Sequence, residues 1–377
     1  MKTVQAYYTE NEGWVYITDK KNLDNPLVIV FGDRVLLENT EILQSLKLEF
    51  PYNDIVYGST AGEIAGQHVL DDSLSVTAIE FEKTKFVVKS ANIFDFDKDE
   101  ERLGQALYKE MPQQNLKHLF VVSTGSFINC SMLINGIEDN MTESVALTGG
   151  VCGDANRFEK TVASYNDAPK EGEVVLVGFY GESLEVSYAS FGGFQPFGPE
   201  RTITKALNNI VYEIDGQSAI DLYNKYLAEK AENIMVSRLA YPLNVIQPGK
   251  DYPVVRTILD IETTDGSIVL AGNCAQNSRA QLMMGSVHGI VHGAEQAAKY
   301  AMEGRKNKPQ LALLVSCMGR KAIMGQRVEE EIELTKEIIG THVPVTGFYS
   351  YAEMAPVHDR YECEVHNQTM TLTLFSE

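Results

Sequence analysis

Three apolar runs punctuate this chain, PLVIVFGD at 26–33, HLFVVSTGS at 118–126 and LALLVSCMGR at 311–320, and each breaks off in small or polar residues. Runs this short, rich in Val, Ile and Leu and bounded by turn residues, predict buried strands. Behind each comes a stretch with apolar positions at helical spacing: NTEILQSLKLEF, NCSMLINGIEDN and a Glu-rich segment beginning near Gln326. In the last, Val328, Ile332, Thr335 and Ile339 mark one face, while Glu329, Glu330, Glu331 and Glu333 crowd the first turns, where the macrodipole favours them. A second strand then ends in a Gly-rich or polar knot: DIVYGSTAGEI, VALTGGVCGD and VTGFYSYAE. Closing strands follow: SVTAIEF with KFVVKSANI, EVVLVGFYG with LEVSYASFGG, and TMTLTLF. TMTLTLF alternates polar and apolar residues, which predicts one buried and one wet face.

The unit therefore recurs three times, the third copy shortened. One layer of helices on each sheet would bury the apolar faces, so the pattern predicts an α/β fold of strand-helix-strand units with mixed sheets, in αββα layers. Phe191 to Pro199 carries Gly192, Gly193, Pro196, Gly198 and Pro199, a break that divides the chain into domains at 1–199 and 233–377 joined by a polar helical bridge over 200–232.

A chain of 377 residues exceeds one ordinary core, and two domains are the default. The formal net charge of −20 repels nucleic acid and anionic membrane surfaces. Cys130, Cys152, Cys274, Cys317 and Cys363 are odd in number and contain no CxxC pair, which argues against a disulfide framework or zinc ribbon. No apolar run approaches the roughly 20 residues that span a bilayer, and no basic start leads into an apolar core, so a cytoplasmic setting is expected.

SCMGR, GFYSYAE and HNQT at 366–369, with YGSTAGEI at 57–64, TGGVCGD at 148–154 and TITKALNNIVYEIDGQSAIDLYNKYL, together resemble the FIST domain family, a bacterial sensory module, over nearly the whole chain. The chain departs from its pattern in two places: Ala352, Glu353 and Met354 stand where GEI is usual, and Tyr57 where Cys is usual. The resemblance implies a FIST N-like and a FIST C-like domain, binding of small ligands with amino acids among them, and report to a separate signalling protein such as a histidine kinase. Catalysis and a resident cofactor are not expected. One branch of the family binds haem and senses nitric oxide, and His68, His288, His292, His358, His366 and Cys317 are the residues that could serve as axial ligand.

The knots supply the candidate ligand-binding residues: Ser59, Thr60 and Glu63 in the first, Asp154 in the second, Ser316, Cys317, Arg320, Tyr349, Tyr351 and Glu353 in the third unit, and Asn367 beyond them. Their small residues let backbone approach a ligand or a neighbouring strand. GSTAG has the outline of a nucleophile elbow at Thr60, but loop and strand rather than helix follow it. Arg320 suits a carboxylate, or else pairs with Glu353 or a helix glutamate; with Glu353 it would match a zwitterion. The alternatives from other classes are an enzyme with Cys317 as nucleophile or Glu353 as general acid, and an acidic scaffold recruiting a basic partner. His288, His292 and Glu295 share a helix face at spacing that can ligate a metal, although Gly289 and Gly293 on that segment read as a close-packing stripe.

Overall fold

The predicted buried strands are Leu27–Gly32, Leu116–Ser123 and Leu311–Cys317 in the computed structural model, which describes residues 1–227, 238–357 and 360–377. Each pairs in parallel with the strand that precedes its knot, Asp54–Ser59, Ala146–Val151 and Val345–Ser350. Parallel neighbours require a crossover, and the helices Thr40–Glu49, Cys130–Glu138 and Glu329–Ile339 supply it. Asn39 and Asn129 start the first two by accepting hydrogen bonds from the amides of Glu41 and Ile42 and of Ser131, whereas the third helix begins without a side-chain cap. On the other flank of each first strand lies an antiparallel strand, Ser73–Glu80, Glu173–Tyr180 or Met370–Ser376.

These units build three six-stranded mixed sheets, each completed by strands from other units; the expected closing pairs are split, because Lys85–Asn92 joins Glu173–Tyr180 of the second unit and Glu185–Phe191 joins Met370–Ser376 of the third. Glu63–Ala65, just past the first knot, joins the third unit's Val345–Ser350. Ala163–Tyr165, after the second knot, joins the first unit's Asp54–Ser59, and Ala352–Pro356, in the third, joins the second unit's Ala146–Val151. The exchange is cyclic, so strands of the C-terminal half complete a sheet of the N-terminal half.

Alternation along the strands divides the interior. Leu27, Ile29 and Phe31, Phe120 and Val122, and Leu311, Leu313 and Val315 meet in one central core. The intervening Val28 and Val30, Leu119 and Val121, and Ala312 and Leu314 face outward into three peripheral cores covered by helices. Any two sheets with their helices thus form the expected αββα section, and the third closes it. Each fully buried Leu, Ile or Phe contributes about 1.5–3 kcal/mol of hydrophobic stabilisation, which makes this shared core the main tie between units.

Two expectations need correction. TMTLTLF is buried on both faces: Thr371 and Thr373 are 1% exposed, and the Thr373 hydroxyl meets that of Thr148 at 2.9 Å, which in turn lies 2.8 Å from Nε2 of His118. The polar face satisfies itself against neighbouring strands rather than water. Residues 200–218 are not helical either. Arg201–Leu207 and Ile210–Ile214 form an antiparallel hairpin whose turn places Asn208 at φ 53°, a conformation asparagine tolerates, and the helix spans only Ala219–Leu227; residues 228–232 lie outside the described residues. The hairpin belongs to a nine-stranded sheet with its own core of Ile203, Val211, Val245, Ile258 and Ile268, set between the second and third units.

Candidate functional site

The three knots meet. Gly153 N donates to Ser59 O at 2.8 Å and Ala155 N to Thr60 O at 3.0 Å; Ala61 N donates to Tyr349 O and Tyr349 N to Gly62 O, both at 2.8 Å; Tyr351 N donates to Val151 O at 3.1 Å. Second knot to first, first to third and third to second, the backbone bonds close a ring at the C-terminal ends of the parallel strands. A Cβ on Gly153 would stand 2.6 Å from the amide nitrogen of Ala61, so this small residue serves the approach of one knot to the next.

Three buried acids sit in or beside the ring. Glu63 accepts from the hydroxyls of Thr60 and, at 2.6 Å, Ser73. Burial pushes its pKa up to about 8, against the opposing pull of those hydroxyls. Glu353 likewise accepts from Ser350 Oγ at 2.7 Å, Thr369 Oγ1 at 2.9 Å and Thr369 N at 3.1 Å, and burial raises it to about 8. Asp154 differs: Nε of Arg34 and Nε of Arg157 both reach it at 2.8 Å, and the amides of Glu159 and Lys160 add further bonds. Burial pushes it up too, but these donors outweigh burial and hold it below the ordinary value.

Arg320 is fully buried among acceptors of its own chain. Its Nε and Nη2 bind Glu331 at 3.1 and 2.6 Å, Nη1 donates to Gly192 O at 2.5 Å, and Nη2 to Ile290 O at 2.9 Å. Of the two partners open in the sequence, the helix glutamate holds it, and the guanidinium has no fork left for the carboxylate of a zwitterion. Glu331 also accepts from Ser316 Oγ at 2.9 Å and Tyr349 OH at 2.6 Å, so Ser316 and Tyr349 belong to a sealed polar cluster. Ser59 is equally internal, its Oγ accepting from Val162 N at 2.9 Å, and Asn367 accepts from Thr257 N at 3.3 Å. Cys317 is buried and burial pushes its thiol well up, the reverse of what a nucleophile needs. Tyr351 alone among the candidates is half-buried: its ring stacks on Phe158 with centroids 4.9 Å apart and its hydroxyl donates to Ala155 O at 3.3 Å.

The histidines do not converge. His292 Nδ1 lies 2.9 Å from Glu295, whose other oxygen holds Lys299 at 2.5 Å, and no described group of three or more His, Cys, Asp or Glu side chains is placed to hold a metal. Gly289 and Gly293 are indeed a close-packing stripe, since a Cβ on either would stand 2.5–2.6 Å from the carbonyl oxygen of Gly193 or Gly192. His68 and His288 are exposed, His366 is buried against Ala355 O at 3.0 Å, and His358 lies outside the described residues.

Residues 26–217 match the FIST N domain and residues 219–356 the FIST C domain. The chain belongs to the FIST family. FIST domains are associated with sensing in signal transduction. The uncharacterized protein MJ1623 of Methanocaldococcus jannaschii is 21% identical over 230 residues, 56% of this chain and 42% of that protein, so the chain spans less than half the length of this curated relative. A crystal structure of cyanuric acid hydrolase from A. caulinodans covers 93% of this chain and 90% of its own at 8% identity with a TM-score of 0.33, a likeness too slight to carry any argument. No helix among the described residues of this FIST protein is long and apolar enough to cross a membrane.

Several residues that shape the FIST ring escaped sequence reasoning. Glu331 was one of four first-turn glutamates and was not singled out among them, yet it lies one turn before buried Thr335, a spacing that signals the inner face. Arg34 gave no signal at all, because its acid, Asp154, is 120 residues away, and Arg157, three residues from the same acid, was passed over. Lys321, which reaches Ala61 O at 2.8 Å beneath the first knot, and Phe158 were also missed.

Proposed function

We propose that this FIST protein senses a small molecule taken at the outer rim of the knot ring, with amino acids as the first candidates, and reports occupancy to a separate signalling protein such as a histidine kinase. The observation that carries the reading is the meeting of three strand-end turns from three units at one place, the position where α/β folds offer ligands convergent polar groups. The ring interior is filled by its own hydrogen bonds, which leaves the half-exposed rim side chains Tyr351, Arg157 and Lys321 to meet a ligand. Ligand at the rim would bridge knots of different units, and the cyclic strand exchange couples those knots to all three sheets. The cytoplasm suits this role, since all five cysteines are free.

Thermal unfolding in the presence of each of the twenty amino acids tests the reading, together with native mass spectrometry of protein taken from cells. At least one amino acid should raise Tm, and Tyr351→Ala should abolish the shift. Absence of a retained small molecule, with no shift from any amino acid, would overturn it.

A further inference from the structure

We infer that the rim takes a planar aromatic or heteroaromatic carboxylate, its ring stacked on Phe158 and its carboxylate on Arg157; this rests on the reading of the rim as the ligand site and names the ligand's chemistry. Phe158 is 51% exposed, unusual for an aromatic side chain beside a packed ring of knots. It is also held at φ 54°, and Ala155 in the same loop at φ 48°, where bulky side chains rarely sit. Asp154 fixes this loop through the amides of Glu159 and Lys160 and through Arg157. What the conformation achieves is presentation: the Phe158 ring lies 14° from parallel to that of Tyr351, so one face is backed and the other is left to solvent. A rigid, backed aromatic face recognises a flat ring.

Arg157 supplies the charge. Its Nε is bound to Asp154 and its Nη2 to Asp33 at 2.6 Å, which fixes the guanidinium plane, while Nη1 has no hydrogen-bond partner among the described residues. The side chain is 30% exposed and adjoins Phe158 in sequence. A guanidinium fixed in plane with donors to spare recognises a carboxylate, whose two oxygens accept parallel charge-assisted hydrogen bonds that a neutral carbonyl matches only in part.

Isothermal titration of the full chain with benzoate, phenylacetate, cyclohexanecarboxylate and benzamide tests the inference. Benzoate or phenylacetate should bind. Loss of the flat ring in cyclohexanecarboxylate should weaken binding about five- to ten-fold, and loss of charge in benzamide about ten-fold or more. Phe158→Gly should weaken benzoate to the same degree as loss of the flat ring while leaving Tm unchanged or higher, because glycine accepts the left-handed backbone; Arg157→Gln should abolish the preference for benzoate over benzamide. The inference is overturned if neither aromatic acid binds at millimolar concentration, if cyclohexanecarboxylate binds as well as benzoate, or if Phe158→Gly binds benzoate like the parent. An amino acid that raises Tm while the aromatic acids fail would leave the sensory reading standing and remove this one; failure of both sets removes both.

Discussion

Glu63 and Glu353 on one side and Asp154 on the other occupy similar places at the ends of the same kind of strand, and all three are at most 1% exposed, yet their chemistry is opposite. The glutamates meet only hydroxyls and an amide, and burial raises both to about 8. Asp154 meets two guanidinium groups and is held low. Burial sets the penalty for charge, and the partner decides whether the charge survives it. The ring is therefore asymmetric: two acids that burial pushes toward the neutral form and one that its arginines hold toward the anion, within a threefold pattern of strands.

The sharpest way to break this contrast is Asp154→Ala. It removes the one fully buried acid from Arg34, whose side chain is 8% exposed, and leaves it only Glu38 and Glu159, which are 32% and 66% exposed. A loss of about 3–5 kcal/mol in urea-melt stability is expected; a loss within error would show that water already solvates the arginines.

A smaller effect, of opposite pH sign, belongs to the glutamates. Their folded pKa values are raised above the ordinary 4.5, so their contribution to stability is fully present below pH 4.5 and is lost as the pH rises through about 8. Asp154, held below its ordinary 3.8, contributes above that value and loses its contribution only in acid. Replacing either Glu63 or Glu353 by Gln removes that residue's alkaline loss, so each variant's advantage over the parent should grow by up to about 4 kcal/mol between pH 5 and pH 9. Parallel denaturation curves at all pH values would show the glutamates to be ionised already.

Gly153→Ala sharpens the geometric side of the comparison. The added methyl would press on Ala61 and Thr60, and a cost of about 1–3 kcal/mol is expected by chemical denaturation. Gly13→Ala is the control for the surroundings, since a Cβ there meets nothing within 4 Å, although φ 70° strains it too. The smallest effect is Phe158→Gly, which should raise stability by about 0.5–1 kcal/mol by relieving the left-handed backbone; a loss of stability would mean that stacking on Tyr351 outweighs the strain.

Much of the scaffold was legible. The strand, helix and knot of each unit are local patterns, and Leu27–Gly32, Cys130–Glu138 and Val345–Ser350 fall where apolar period and turn residues placed them. The hairpin at 201–214 was misread as helix because its strands alternate weakly, although the Asn208–Asn209 pair is a turn signal. In the ring, sequence found the acids and Arg320 but could not choose Arg320's partner, since Glu353 and Glu331 were equally plausible by chemistry and only packing separates them.

The sequence by itself determined that a strand-helix-strand unit occurs three times and that small and acidic residues gather where its strands end, because periodicity and turn chemistry act over a few neighbouring residues. Only the tertiary structure decided which of those acids burial pushes toward the neutral form, which arginine stays available and which strands trade places between sheets. Those outcomes depend on burial and on partners more than a hundred residues away, such as Arg34 and Asp154, and a charge's free energy is set by the groups around it in space rather than by its neighbours along the chain.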